Sequence, residues 1–251
     1  MLFAIPHWRC EGGGTRSSYN PGRVAGLLYL LLGFSVVRLQ YIPRTLLVPG
    51  NGSVTTNNIA THAWTFRAGI VCDLVAAVSS IFVVLALYRL FKGVDQNRAV
   101  LMVILGGPMP AAVYFFNALN DVAALLFALP ADFLAPFERL QREALVMLFL
   151  RLHDYGVFVN EIFWGLWLLP FGLLVYRSGF LPRILGVWLC VNCFAYLSLS
   201  FTGILMPRYE GTLFQYTSPA LFGEGAIMLW LLIKGAKPAS WESAVSSMAA
   251  G

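Results

Sequence analysis

Long apolar runs alternate with short polar segments along this chain. A helix needs about 20 mostly apolar residues to cross a bilayer. Runs of that order lie at 23–43, 65–88, 99–127, 155–176, 184–206 and 214–233. The pattern predicts an all-α, polytopic transmembrane helix bundle with six spans, within residues 21–235. We interpret the polar, turn-rich segment 1–20 as a disordered cytoplasmic tail and 236–251 as a second cytoplasmic tail.

A charged segment precedes the fourth run. Asp132 is a candidate helix cap, and Pro136 suits a first helical turn. Beyond them, apolar residues recur at helical spacing at Phe137, Leu140, Ala144, Met147 and Leu148. The opposite face carries two i,i+4 pairs, Glu138 with Arg142 and Arg139 with Glu143. The segment predicts an amphipathic external helix before the fourth span, or alternatively a long extension of that span.

The composition fits a membrane protein. The chain is 59% hydrophobic and 12% charged, with a mean hydropathy of +0.73, against about 25% charged residues in soluble domains. Its net charge of +5 comes from basic residues scattered at helix ends, so we expect the lipid bilayer as a partner and no nucleic acid. The predicted loops place ten of the 17 basic residues on the side of the termini. Both termini are therefore predicted to lie in the cytoplasm, and the protein in the cell membrane.

Six charged residues fall inside or at the edges of the apolar runs. They are Arg38, Arg67, Asp73, Asp121, Glu161 and Glu224. A charge in hydrocarbon costs a few kcal/mol or more, so such residues face a bundle interior or a wet cavity. The topology places all six between the midplane and the outer side, and predicts one polar pocket there. We expect Arg67 and Asp73 to point into the bundle toward different partners, and the two arginines to pair with Asp73 and Asp121.

Uncharged polar residues are predicted at the same depth. Asn117 and Asn120 share a helix face with Asp121, and Asn192 and Tyr196 lie on another stripe. We assign ligand binding to Arg38, Arg67, Asp73, Asn117, Asn120, Asn192 and Tyr196. We assign acid catalysis to Glu224, Asp121 and Glu161. The alternative is that these groups only hydrogen-bond between helices.

Glu224 is the expected centre of the pocket. It lies deepest, and its neighbours Gly223 and Gly225 allow close approach of another helix or a ligand. Four acids outnumber two arginines, so one or two acids are expected to be protonated or matched by a bound cation. We expect Glu224 to be the neutral acid.

No motif indicates a metal or another cofactor, and we expect neither. His62 and His153 flank the predicted outer mouth near Asp154 and Glu161, but without a metal-binding spacing. We interpret the tryptophans of the spans as membrane-belt and packing residues. These are Trp64, Trp164, Trp167, Trp188 and Trp230.

Four segments resemble a family of multi-spanning bacterial proteins, the domain of unknown function 4386. They are RVAGLLY at 23–29, FRAG with DL at 66–74, YRSGFLPRILG at 176–186, and PA with GE at 219–224. Together they extend over about 21–235. The resemblance implies a six-helix integral membrane protein and implies no activity.

Three functions stay open at this level. The protein is a membrane-embedded enzyme or binding protein for a lipid-like or isoprenoid molecule, with acid catalysis by the pocket carboxyls. Alternatively it is a small proton- or ion-coupled transporter that uses the same carboxyls. The third alternative is a non-catalytic scaffold or sensor. The oligomeric state is left open.

Overall fold

The computed structural model describes residues 20–35 and 37–237. The helices are α1 Pro21–Leu32, α2 Ile42–Leu46, α3 Gly52–Thr61, α4 Ala63–Phe91, α5 Gln96–Gly106, α6 Pro108–Ala128, α7 Arg139–Arg177, α8 Arg183–Leu205 and α9 Glu210–Ile233. Within the described ranges they form six segments long and apolar enough to cross a membrane, and no strand is present. The all-α, six-span prediction is confirmed. The predicted tails lie outside the described residues, apart from Asn20, Ala236 and Lys237.

The six spans form a closed ring in sequence order. The first span packs on α4, α4 on α5 and α6, these on α7, α7 on α8, α8 on α9, and α9 back on α1. We call the end of the ring opposite the chain termini the outer end. A ring of this kind turns one face of every helix toward a common centre. The arrangement therefore explains how residues far apart in sequence meet in the interior.

The first span is interrupted within its outer half. Asn20 caps α1 through its side-chain oxygen, which accepts hydrogen bonds from the backbone of Gly22 and Arg23. Beyond Gly33 the backbone continues as a π-helical turn, Val37–Tyr41, and then as α2. A π-turn adds a residue to the helical repeat and is often found at functional sites. It sets the direction in which Arg38 points.

The third span is broken near its middle. Proline has no backbone N–H, and its ring clashes with the preceding turn, so Pro108 ends the hydrogen-bond ladder of α5 and begins α6. Gly107 occupies the junction and packs against Val84 of α4. The break lets the two halves of this span follow different paths around the centre.

The fourth span is a helix of 39 residues. At 1.5 Å per residue it is about 58 Å long, against about 30 Å of hydrocarbon, so its first turns project beyond the apolar layer. The amphipathic external helix is thus present as an extension of the fourth span, the second of the two predicted arrangements. Its start was predicted wrongly. Asp132 begins a short 3₁₀ turn, whereas Glu138 and Gln141 form the capping box of α7.

Glycines bring α7 and α8 into backbone contact. A Cβ on Gly172 would lie 2.6 Å from the carbonyl oxygen of Gly186, so neither position tolerates a side chain. The short turn between the helices contains Gly179, with a φ of +73°, and ends at the cap Pro182. A positive φ favours glycine because it carries no Cβ. This turn makes α7 and α8 antiparallel neighbours, as predicted.

Candidate functional site

The structure divides the predicted single pocket into two separate places. Glu224 lies at a cavity in the middle of the ring, and Arg38, Asp73 and Asp121 form a buried cluster nearer the outer end. The sequence predicted that Arg38, Asp73 and Asp121 lie together, and the structure brings them into one cluster. The sequence did not show that α9 and the outer halves of α4 and α6 face different parts of the interior.

The central cavity has a volume of about 330 Å³, and each of the six spans contributes to its wall. The lining includes Tyr29, Val83, Val84, Gly106, Pro110, Tyr114, Trp164, Trp167, Tyr196, Leu221, Glu224, Gly225 and Met228. Among the described lining residues, Glu224 is the one carboxylic acid, and no aspartate, lysine, arginine or histidine is present. The cavity is at the small end of the range for ligand sites, about 300–1,000 Å³. It therefore has the size and the apolar character of a small-molecule site.

Two tyrosines fix the carboxyl group of Glu224. The hydroxyl of Tyr29 donates to Oε1 at 2.5 Å, and the hydroxyl of Tyr196 donates to Oε2 at 2.9 Å. These two contacts hold the carboxyl group in one orientation. The first, fifth and sixth spans thus meet at one carboxyl.

The two glycines beside Glu224 have different surroundings. Gly223 lies against the Trp188 ring, at a distance that leaves no room for a Cβ. A Cβ on Gly225 would have no other atom within 4 Å, and Gly225 borders the central cavity. One glycine therefore allows a close helix contact, and the other leaves space beside the carboxyl.

Aromatic rings form much of the cavity wall. Trp164 contacts Tyr114 and Tyr196, with centroid separations of 5.9 Å and 5.8 Å, and Trp167 lies 6.0 Å from Tyr29. Trp164 and Trp167 pack against buried residues, as interpreted from the sequence, and both also border the central cavity. Sequence reasoning missed Tyr29 and Tyr114 as site residues. Both tyrosines lie one or two helical turns from polar residues of the same span, and this spacing could have indicated that they face the interior.

The outer cluster consists of Arg38, Asp73, Asp121 and His153. Arg38 donates to both carboxylate oxygens of Asp121, through Nε to Oδ2 and a terminal nitrogen to Oδ1, each at 2.6 Å. The two side chains are 1% and 0% exposed. A two-point pair of this kind fixes both groups in one orientation. Of the two predicted counter-ions, Arg38 is the one that the fold uses.

Asp73 and His153 complete the outer cluster, and each has buried atoms without a hydrogen bond to another described residue. His153 Nδ1 lies 3.3 Å from Asp121 Oδ2, yet neither ring nitrogen has a hydrogen bond of good geometry among the described residues, and neither does Asp73 Oδ1. One ligand atom each from Asp73, Asp121 and His153 lies within 4.8 Å of the others. These three residues can therefore hold a metal ion. Of the residues placed at the outer mouth from the sequence, only His153 belongs to this group, and His62, Asp154 and Glu161 do not.

The predicted amides are buried beside these sites. Asn117 donates to the backbone oxygen of His153 at 3.3 Å, and any side chain at Gly156 would overlap its amide. Asn120 and Asn192 are also buried, and their side-chain nitrogens have no hydrogen-bond partner in the described part of the chain. None of the three borders the central cavity. Of the three amides, Asn117 is the one with a hydrogen bond to a residue of the outer cluster, His153.

Glu161 lies apart from both sites. It is 8% exposed, and its Oε2 has no hydrogen-bond partner within the described ranges. It borders neither the central cavity nor a second cavity nearer the outer end, which Arg38 and Glu210 line. The structure therefore gives it no contact with a ligand in either place.

Arg67 was placed wrongly. Its side chain is exposed, and its guanidinium lies over the ring of Trp64, 5.1 Å from the centroid. Asp73 is 1% exposed and points inward as predicted. Two positions six residues apart on a helix differ by about 120° in direction, from the 3.6-residue repeat. Only one of them faces the interior here.

An outer cavity of about 570 Å³ leads from the outer end toward the cluster. Its wall includes Arg38, Leu39, Arg151, His153, Asp154, Tyr155, Phe158, Pro207 and Glu210. Leu39 also borders the central cavity. The π-turn thus presents Arg38 to the cluster and Leu39 to the partition between the two cavities.

Comparison with known proteins agrees with this fold. A family described as Domain of unknown function (DUF4386) matches residues 24–235. The chain belongs to this family. An uncharacterised protein of Archaeoglobus fulgidus is 30% identical over 145 residues, which is 55% of this chain and 81% of the relative. No solved structure matches. The DUF4386 match covers every span, so the residues of both cavities lie within the family region.

Proposed function

We propose that this DUF4386 protein binds a small, largely apolar molecule, lipid-like or isoprenoid, in the central cavity. Glu224 is the group that binds the polar end of the molecule and exchanges a proton with it. The observation that carries the proposal is the position of this carboxyl, in an aromatic cavity to which all six spans contribute. A bundle that needed only to pack would fill its centre with side chains.

The chemistry of the wall selects the class of ligand. The apolar and aromatic lining favours a hydrocarbon body, since burial of apolar surface is worth roughly 25 cal/mol per Å². Tyr29 and Tyr196 orient Glu224, so a hydroxyl or amine of the ligand meets a fixed hydrogen-bonding group. Trp164 and the tyrosine rings also stabilise positive charge through their faces.

Acid catalysis is the reaction that this arrangement can support. A carboxyl beside an apolar substrate can protonate it, and the aromatic wall would stabilise the cation that forms. Asp121 is a poor choice for the same role, because Arg38 occupies both of its oxygens. Glu161 does not reach the cavity. We therefore assign the proton transfer to Glu224 and withdraw that assignment from the other two acids.

Transport is the second candidate, and one observation favours it. Leu39 borders both the central and the outer cavity, so movement of the π-turn would connect them. A proton- or ion-coupled transporter would then use Glu224 as its coupling group near the middle of the membrane. Both candidates require a ligand in the central cavity.

Binding can be tested with a photoreactive geraniol analogue, with competition by unlabelled geraniol, on purified full-length protein in detergent. We expect saturable labelling of residues that line the central cavity. Gly225→Leu fills space beside Glu224 and should abolish that labelling without a backbone clash. Gly211→Leu, on the same helix and equally free of contacts, is the matched control and should label normally.

The role of the carboxyl is tested in the same assay. Glu224→Gln retains the size of the side chain but cannot exchange a proton with the ligand, and the weaker hydrogen bond to the polar end should cost about 1 kcal/mol, or roughly fivefold in affinity. Glu210→Gln, on the same helix but outside the central cavity, should bind the probe as the wild type does. Labelling confined to lipid-facing residues, or unchanged by Gly225→Leu, would contradict a ligand site in the central cavity.

A further inference from the structure

We infer that Asp73, Asp121 and His153 form a binding site for a divalent transition-metal ion, with Zn²⁺ as the probe ion. The site is separate from Glu224 and does not depend on the function proposed for the central cavity. It lies in the outer cluster, next to the outer cavity. Its three ligand atoms lie close together, and buried atoms of Asp73 and His153 have no hydrogen-bond partner among the described residues.

The contact between His153 and Asp121 has the spacing of two ligands on one ion. Zinc bonds of about 2.0–2.2 Å in a tetrahedron place neighbouring ligand atoms about 3.4 Å apart. His153 Nδ1 and Asp121 Oδ2 are separated by 3.3 Å, yet they do not have the geometry of a hydrogen bond. An ion between the nitrogen and the oxygen would use both lone pairs. Imidazole and carboxylate together are donors typical of zinc sites.

The third group is Asp73. It is 1% exposed, and its Oδ1 has no hydrogen bond within the described residues. Buried polar atoms are nearly always satisfied, and here the unsatisfied atoms of Asp73 and His153 lie in one cluster. The three ligand atoms lie within 4.8 Å of one another. A change of side-chain rotamer would bring all three ligand atoms to bonding distance of one ion.

Arg38 supports such a site instead of competing with it. A carboxylate has about four lone-pair positions, and Arg38 uses one on each oxygen of Asp121. Hydrogen bonds from outer groups commonly orient carboxylate ligands. Asn117 similarly holds the backbone of His153.

Charge alone does not decide between an ion and an empty cluster. With both carboxylates ionised and the imidazole neutral, Arg38, Asp73 and Asp121 leave one net negative charge, and a divalent ion would leave one net positive charge. A hydroxide or an anionic oxygen as fourth ligand would bring the total to zero. Such a ligand can arrive through the outer cavity, which Arg38 and His153 border.

The experiment uses purified full-length protein in detergent, stripped with a chelator and then titrated with Zn²⁺. Bound zinc is counted by elemental analysis after removal of free ion. We expect one zinc ion per chain in the wild type, and loss of this ion in His153→Ala and in Asp73→Asn. His62→Ala is the matched control, because His62 is exposed and lies outside the cluster. It should retain the ion.

Cobalt provides an independent readout of the ligands. Co²⁺ in a tetrahedral site with nitrogen and oxygen donors gives visible absorption bands that hexa-aqua Co²⁺ lacks. We expect these bands in the wild type and in His62→Ala, but not in His153→Ala. Asp73→Asn preserves the shape of the side chain. We expect this variant to lose the cobalt bands while its helical circular-dichroism spectrum stays unchanged. That result would show that the substitution removes metal binding and leaves the fold intact. Two results would overturn the site: no stoichiometric uptake by the wild type, or an ion that His153→Ala and Asp73→Asn both retain.

Discussion

The ion pair of Arg38 and Asp121 should be a strong determinant of stability when one member is removed and a weak one when both are replaced. Both side chains are almost fully buried, and the pair is joined by two hydrogen bonds of 2.6 Å. Asp121→Asn removes the negative charge with little change in shape. Arg38 is then left as a buried cation.

The size of the effect follows from desolvation. Removal of one partner from a buried pair costs about 3–5 kcal/mol, because the remaining charge is neither solvated nor paired. A second carboxyl group, that of Asp73, lies in the same cluster, so we expect the lower end of this range, about 3 kcal/mol, for Asp121→Asn. The double variant Arg38→Met with Asp121→Leu removes both charges and retains the volume. Such replacements are often neutral or stabilising.

Reversible unfolding in mixed micelles, followed by far-ultraviolet circular dichroism, measures the free energy of unfolding for each variant. Arg151→Gln is the control, since the Arg151 and Asp154 side chains are 66% and 45% exposed and 3.9 Å apart. Loss of an exposed pair costs at most about 1 kcal/mol. The reasoning is refuted if Asp121→Asn costs less than about 1 kcal/mol. It is equally refuted if the double variant is as unstable as the sum of the two single variants.

Two further predictions concern topology and packing. A reporter fused after Gly251 should register the cytoplasm, and a reporter inserted at Asn51 should register the opposite side, because of the distribution of basic residues. The reversed pattern would mean that the outer cavity faces the cytoplasm. Gly172→Leu should sharply lower the yield of folded protein, because its side chain would overlap the backbone of Gly186. Gly93→Leu, with no atom within 4 Å of the added Cβ, should leave the yield unchanged.

The spans were predictable because each is a run long enough to cross a bilayer. The short turns between successive spans make neighbours in sequence into neighbours in the ring. The helix breaks were less accessible. Pro108 gives a visible reason for the break in the third span. The π-turn at Val37–Tyr41 has no comparable signal in its residues. It nevertheless decides that Arg38 reaches Asp121, which a regular helix would have directed elsewhere.

The sequence predicted a depth for each site residue but not the direction in which its side chain points. Hydropathy fixes how far along a span a residue lies, whereas the facing of a nearly uniform apolar helix depends on its neighbours. For this reason Arg67 was assigned to the interior although its side chain is exposed. The same limit explains why the sequence did not show that the packing residues Trp164 and Trp167 also line the cavity. His153 was placed at the outer mouth, and it lies beside that mouth but only 2% exposed.

The separation of Glu224 from the outer cluster makes the alternatives for function distinguishable. If the polar residues serve packing alone, stability should fall for Asp121→Asn, and the probe should label no saturable site that Gly225→Leu can close. If the central cavity binds a ligand, Glu224→Gln should weaken labelling while the unfolding free energy stays close to that of the wild type, since the amide still accepts a hydrogen bond from Tyr29 or Tyr196. Loss of stability and loss of binding would then belong to different residues. A scaffold has no reason to divide them in this way.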